Sequence, residues 1–401
     1  MLLLGACATS RPAAGVSTPA ESNAAGAGAA PQALDYARAS ARELERLPLS
    51  PVQSPDGAFS SKVEATKAPS FAKQEALNTL HIPIGTEMPV QCHIYGERID
   101  AAGSLGAVVR SVREALQIHS VRPVEIAASG GHAVVFVELE YLAAVDGKKV
   151  MGLLKLATLP RDDVSFLCMH DEPGYRATFR RLVKGFAGAL VTRTAHKARF
   201  RDVQIVRFNE APVGFSEHAL FVDKDREVNE GYNAMFVPRS PSEVMASDVF
   251  TRESLDRAGQ LVDMIYVKIV NGEVESKVSL ARTEKDYTYQ GTWENKPLEG
   301  RFASKQPLIG DLQHWKLLRE NVLGGKSAAI ALPSYSPTTN PTAPVEVVYR
   351  KRDGEPGGVT VEMGPMKLKG KADAHGVLER VELPAGRITI ISERLWSQGA
   401  P

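Results

Sequence analysis

The 401-residue chain lacks any apolar run approaching the roughly 18 residues of a helical membrane span. It lacks charge of one sign. There are 48 basic and 47 acidic side chains, a formal net charge of +1, which excludes a global attraction to nucleic acid. Signatures of catalysis are missing too. There is no Gly-x-Ser-x-Gly elbow, no His-Glu-x-x-His, no phosphate loop and no dinucleotide-binding glycine pattern, so no cofactor and no metal is expected. No segment repeats at a fixed period. Cysteine is scarce: Cys7, Cys92 and Cys168. The apolar and charged fractions, 43% and 24%, are those of a globular chain, and the length suggests two or three domains.

What is present begins at the amino terminus. Met1 to Leu4 are apolar, and Gly5 and Ala6 are small and precede Cys7. Leu4-Gly5-Ala6-Cys7 resembles the lipobox of bacterial lipoproteins, at the end of a truncated signal peptide over residues 1–7. The resemblance implies that the Cys7 thiol receives a diacylglycerol, that the chain is cut just before Cys7, and that the new terminus is acylated, commonly with palmitate. The implied partner is membrane lipid, and the implied address is the cell envelope. Alanine rather than aspartate follows the cysteine. In the sorting rule known for enteric relatives, that favours the outer membrane, on its periplasmic or surface face, over the inner.

Ala8 to Ala30 is almost entirely Ala, Ser, Thr, Pro and Gly, with Val16 its only sizeable apolar side chain. Such a segment cannot bury enough surface to offset its ordering entropy. We expect a disordered tether over 8–70, broken by a short helix from Leu34 to Leu47 that Pro48 ends.

Lipidation of Cys7 leaves two cysteines. Val90, Cys92 and Ile94 share one strand face, as do Val164, Phe166 and Cys168, so both thiols point toward a core. In an oxidising compartment such as the periplasm they are candidates for a disulfide; two buried free thiols are the other reading.

The expected fold class is α+β. A first region, 71–213, carries an antiparallel sheet with two flanking helices, near Asp100–Gln117 and Gly174–Val191, each with an apolar stripe at helical spacing. Its central strands, Ala133–Val145 and Lys149–Leu159, meet at Asp146-Gly147. A second region, 214–396, is mostly β. Asn271-Gly272 gives the strongest hairpin signal, and strands follow to Ser392 with one helix, Asp311–Val322, among them. Serial hairpins make a meander that must curl to limit its edges, so we expect a curved antiparallel sheet or half-barrel with the helix over one opening. By strand rhythm this region loosely resembles the half-barrel domains of bacterial envelope lipoproteins, which include lipoprotein carriers.

Several residue groups suggest chemistry. Glu138 and Glu140 lie about 7 Å apart on one strand face, a spacing open to glycoside hydrolysis or to a solvated surface. Ser129-Gly130-Gly131-His132 reads as a turn. Cys92 and His93 face opposite ways, and Cys168 and His170 lack a second half-site for a metal. Between Gly174 and Arg201 stand eight basic residues and no acid. Arg176, Arg180, Arg181 and Lys184 fall together on the second helix, a candidate contact for anionic lipid, lipopolysaccharide or an acidic envelope protein, unless neighbouring acids counter them.

The expectation is a non-enzymatic envelope protein holding an apolar or lipid-like ligand in the curved sheet, or an envelope partner. The alternatives are an envelope-polymer hydrolase using carboxylates and a purely structural interaction module.

Overall fold

The computed structural model describes residues 36–74, 77–145, 148–193, 197–223, 226–240, 243–284 and 286–401. Cys7, the rest of the lipobox, the tether to residue 35 and the Asp146-Gly147 turn lie outside the described residues. The described chain is mostly β, in three antiparallel sheets.

The middle sheet has eight strands. His132–Val145 and Lys148–Leu159 are its longest pair. Along the first of them the faces alternate between two cores. Val134 and Phe136 join one, while Val135, Val137 and Leu139 join the other. A strand buried on both faces reads as a near-continuous apolar run, and Val134 to Val137 is one.

Helix α1 (Ala101–Ala115) lies on one face and helix α2 (Arg176–Gly188) on the other. Phe179, Leu182, Val183 and Phe186 of α2 pack on Phe136, Phe166 and Cys92. A small sheet shares this face: Leu49–Gln53, Phe59–Glu64 and Val191–Thr192. It corrects the expected tether over 8–70. Val52, Phe59 and Val63 point inward among polar neighbours, and that narrow stripe suffices because α2 completes the core. The expected helix over Leu34–Leu47 is helical only at 36–40 among the described residues. Glu43 instead caps α2, accepting from the Ala177 and Thr178 amides at 2.8 Å each.

The third sheet has fourteen strands. It begins at the edge strand Lys296–Ala303 and runs back through consecutive hairpins to Phe200–Phe208. There the last strand, Ile388–Gly399, pairs with Phe200–Phe208. The sheet continues back to its other edge at Ala329–Ser334. The large sheet therefore starts at Phe200, ahead of the expected boundary at 213/214, because the chain's final strand needs that partner. Its hairpin at Asn271-Gly272 has φ of 53° and 87°, as a tight turn requires.

The sheet is not closed, yet its ends curl together. Phe302 on one edge strand stacks on Tyr335, just past the other, at 5.8 Å. Inside the curl sit helix α3 (Asp311–Leu317) and the π-helical turn Leu318–Leu323. Trp315 packs on Phe200 and Leu220, and Leu318 and Val322 on Val347, Val359 and Val361. The opposite face of the sheet docks on the middle sheet through Val203, Ile205, Phe215, Tyr232 and Phe236.

Candidate functional site

The two cysteines of the middle sheet are directly opposed across neighbouring strands and form a disulfide, Cys92–Cys168. Both are fully buried, so the bond is a core element. His93 bonds Thr79 at 3.0 Å on the other face, and His170 lies 3.2 Å from the Met88 carbonyl oxygen.

The basic face of α2 is not an open cationic surface. Arg176 pairs with Glu138 at 3.0 Å and Glu140 at 3.1 Å. Arg180 pairs with Glu125 and Glu138, each at 2.8 Å, Lys184 with Glu125 at 3.1 Å, and Arg181 with Glu64 at 3.2 Å. The expected contact for anionic lipid is thus met by carboxylates inside the molecule. The same pairs account for Glu138 and Glu140. Arg122 adds a further contact to each, at 3.7 and 2.9 Å, so the two carboxylates serve as countercharges between sheet and helix.

The concave face of the large sheet also departs from expectation. It is filled at one end by α3 and the π turn, and its middle is polar. Register places Gln204 opposite Ser216 and Ser216 opposite Asn233. In the next row Asp202 opposes His218 and Gly231 opposes Thr251. These side chains are buried, and both amide atoms of Asn233, Ser247 Oγ and the Tyr266 hydroxyl have no hydrogen-bond partner among the described residues. Glu253 joins this set, raised to about 8 by burial and by the neighbouring Asp311. An apolar concavity for a lipid-like ligand is not what these residues build.

Open space lies instead where the large sheet meets the middle one. Two clefts of about 570 Å³ each adjoin there and share Asp162 and Lys197. The first is lined by Phe221, Val222, Val228, Phe250 and Ile265, with Arg98, Glu230 and Arg252 among its charged residues. Val222 is 60% exposed and Ile265 45%, against Phe215 and Leu220 at zero on the same part of the sheet. Large apolar side chains left open beside charged ones make this cleft a candidate binding surface.

The second cleft is lined by the turn Gly130-Gly131-His132, by Arg161, Arg199 and Arg201, and by Trp396. The turn needs glycine at 131, where φ is 82° and a Cβ would stand 2.9 Å from the Trp396 ring. Ser129 gives its hydroxyl to the Lys184 carbonyl at 2.8 Å, so it holds the turn to α2.

Arg201 is the hub of this cleft. It donates to His132 Nδ1 at 2.8 Å and to Asp162 at 3.0 Å, and it lies 3.9 Å from Glu217. Asp162 also pairs with Arg98. Burial pushes His132 down to about 3, so its ring is neutral near pH 7. Burial alone would raise Glu217, but His132 and Arg201 outweigh it and bring the carboxyl down to about 2. Arg161 is held differently. Its guanidinium donates to the carbonyl oxygens of Gly130, Ser129 and Ala187 at 3.2, 3.2 and 2.9 Å.

Arg161, Trp396, Val222 and Ile265 were not singled out by the sequence. One signal was there. Phe221 and Val222 are adjacent at a strand end, so the two faces of that strand are apolar at once, which asks what covers the second.

No family model matches the chain, and no curated protein matches it. Among solved structures, it is similar to a β-barrel-like protein of the domain of unknown function DUF1849 from Brucella abortus. The identity is 9% and the TM-score 0.39, over 51% of this chain and 98% of that one.

Proposed function

We propose that this is a lipid-anchored envelope protein that binds an amphiphilic, lipid-like ligand in the junction cleft. The observation that carries the reading is the open apolar lining of that cleft. Val222 and Ile265 stay exposed and line it together with Phe221, Val228 and Phe250. Covering such a lining removes apolar surface from water at roughly 25 cal/mol per Å². The anchor rests on the lipobox resemblance at Cys7, and the outer membrane on Ala8. The buried disulfide is consistent with an oxidising compartment.

Two measurements test this. A solvatochromic acyl probe should brighten with the wild-type protein and lose most of that signal with Ile265→Glu at unchanged melting temperature. Equal brightening by both proteins would place the acyl chain elsewhere. Palmitate fed to producing cells should label the wild-type chain and spare Cys7→Ala, and equal labelling would remove the anchor.

A further inference from the structure

Beside the apolar cleft lies the one lined by Arg161, and the two share Asp162 and Lys197 in their walls. Arg161 is 5% exposed, yet it meets no carboxylate within ion-pair distance among the described residues. Its Nη atoms are spent on three carbonyl oxygens, and its Nε has no partner. A buried guanidinium held by neutral oxygens keeps its charge without a countercharge in direct contact. Lys197 lies on the shared wall and is exposed. The acids of the cleft are Asp162 and Asp163. Asp162 is engaged by Arg98 and Arg201, and Asp163 and Glu217 lie near enough to support the Arg161 charge. Arg199 is paired with Glu227 at 2.9 Å.

We propose that this cleft takes the phosphate of the ligand whose acyl part lies in the neighbouring cleft, so that the protein selects phosphate-bearing amphiphiles over neutral ones. The Lys197 ammonium supplies a charge-assisted donor, Arg161 in the lining adds its positive charge, and Trp396 walls the site. The inference rests on the acyl-binding reading of the adjoining cleft.

The test is titration of the full chain, followed by calorimetry, with dihexanoyl phosphatidate, dihexanoylglycerol and inorganic phosphate. Phosphatidate should bind about tenfold or more tighter than dihexanoylglycerol, and Lys197→Gln should erase most of that ratio. Arg161→Gln should do the same, provided its melting curve shows it folded; Lys197, being exposed, keeps the test valid if it does not. Equal affinity for the two lipids would overturn the phosphate site and leave the acyl reading standing. Inorganic phosphate binding as tightly as phosphatidate, with Ile265→Glu without effect on either, would overturn the joined site and the acyl reading together.

Discussion

At the scale of single residues, the molecule places its buried charges where they tie one layer to another. Asp248, from the large sheet, caps α1. Its carboxylate accepts from the Ala102 and Gly103 amides at 3.1 and 2.8 Å and from the Tyr232 hydroxyl at 2.7 Å. Tyr232 in turn accepts from the Ala101 amide at 2.6 Å. The helix has no side-chain cap of its own, so its first turn is satisfied by the other half of the chain.

Burial lifts Asp248 from 3.8 to about 7 despite these donors. The native state then holds a proton that the unfolded chain releases between those two values. Stability from this group is therefore fully present below pH 4 and is lost as pH rises through 7. Glu217 works in the opposite window, since its value near 2 contributes stability above pH 4.5 that is lost as pH falls toward 2. We predict that Asp248→Asn flattens the decline in unfolding free energy between pH 4 and pH 7. Denaturant melts across that range check it, and an unchanged slope would show that Asp248 does not titrate there.

At the scale of elements, α2 shows what could be read in advance and what could not. Its apolar stripe at Phe179, Leu182, Val183 and Phe186 was visible in the sequence and is the buried face. Its four cations were visible as well. Their partners were not, because Glu140 stands 36 positions from Arg176 and Glu64 stands 117 from Arg181. A run of one sign on a helix face is settled only by what packs on it.

The hairpins divide in the same way. Asn271-Gly272 carries its turn chemistry openly. The turn at Glu294-Asn295 does not, because two non-glycine residues take positive φ of 48° and 61° there. Strands between Ala211 and Leu255 were hidden because both their faces are covered and polar residues such as Asn229, Asn233 and Ser247 interrupt the apolar pattern. Glu138 is the element-scale test. It is 5% exposed and serves Arg122, Arg176 and Arg180. Glu138→Gln takes one partner from three part-exposed arginines that keep Glu140 or Glu125, and should cost about 1 kcal/mol in chemical denaturation. Binding of the wild-type protein to anionic vesicles, lost in a stable variant with Arg176, Arg180, Arg181 and Lys184 neutralised, would instead restore the helix face as a membrane contact.

At the scale of the whole molecule, the fold class was legible and the placement of the site was not. Strand alternation and turn residues foretold an α+β layer followed by a curved antiparallel sheet. They could not foretell that α3 and its π turn would fill the concave side, nor that the sheet's outer face would both dock on the first layer and leave a cleft beside it. Cleft residues come from distant stretches, Arg98, Asp162, Phe221 and Ile265, and only the docking of two sheets brings them together.

The most direct test of this arrangement is photo-crosslinking with a diazirine-bearing acyl chain, followed by peptide mapping. The account predicts adducts on 221–231 and 250–265, around the junction cleft. Adducts confined to α3, to the π turn or to the row containing Ser216, Asn233 and Ser247 would put the ligand inside the curved sheet and contradict it.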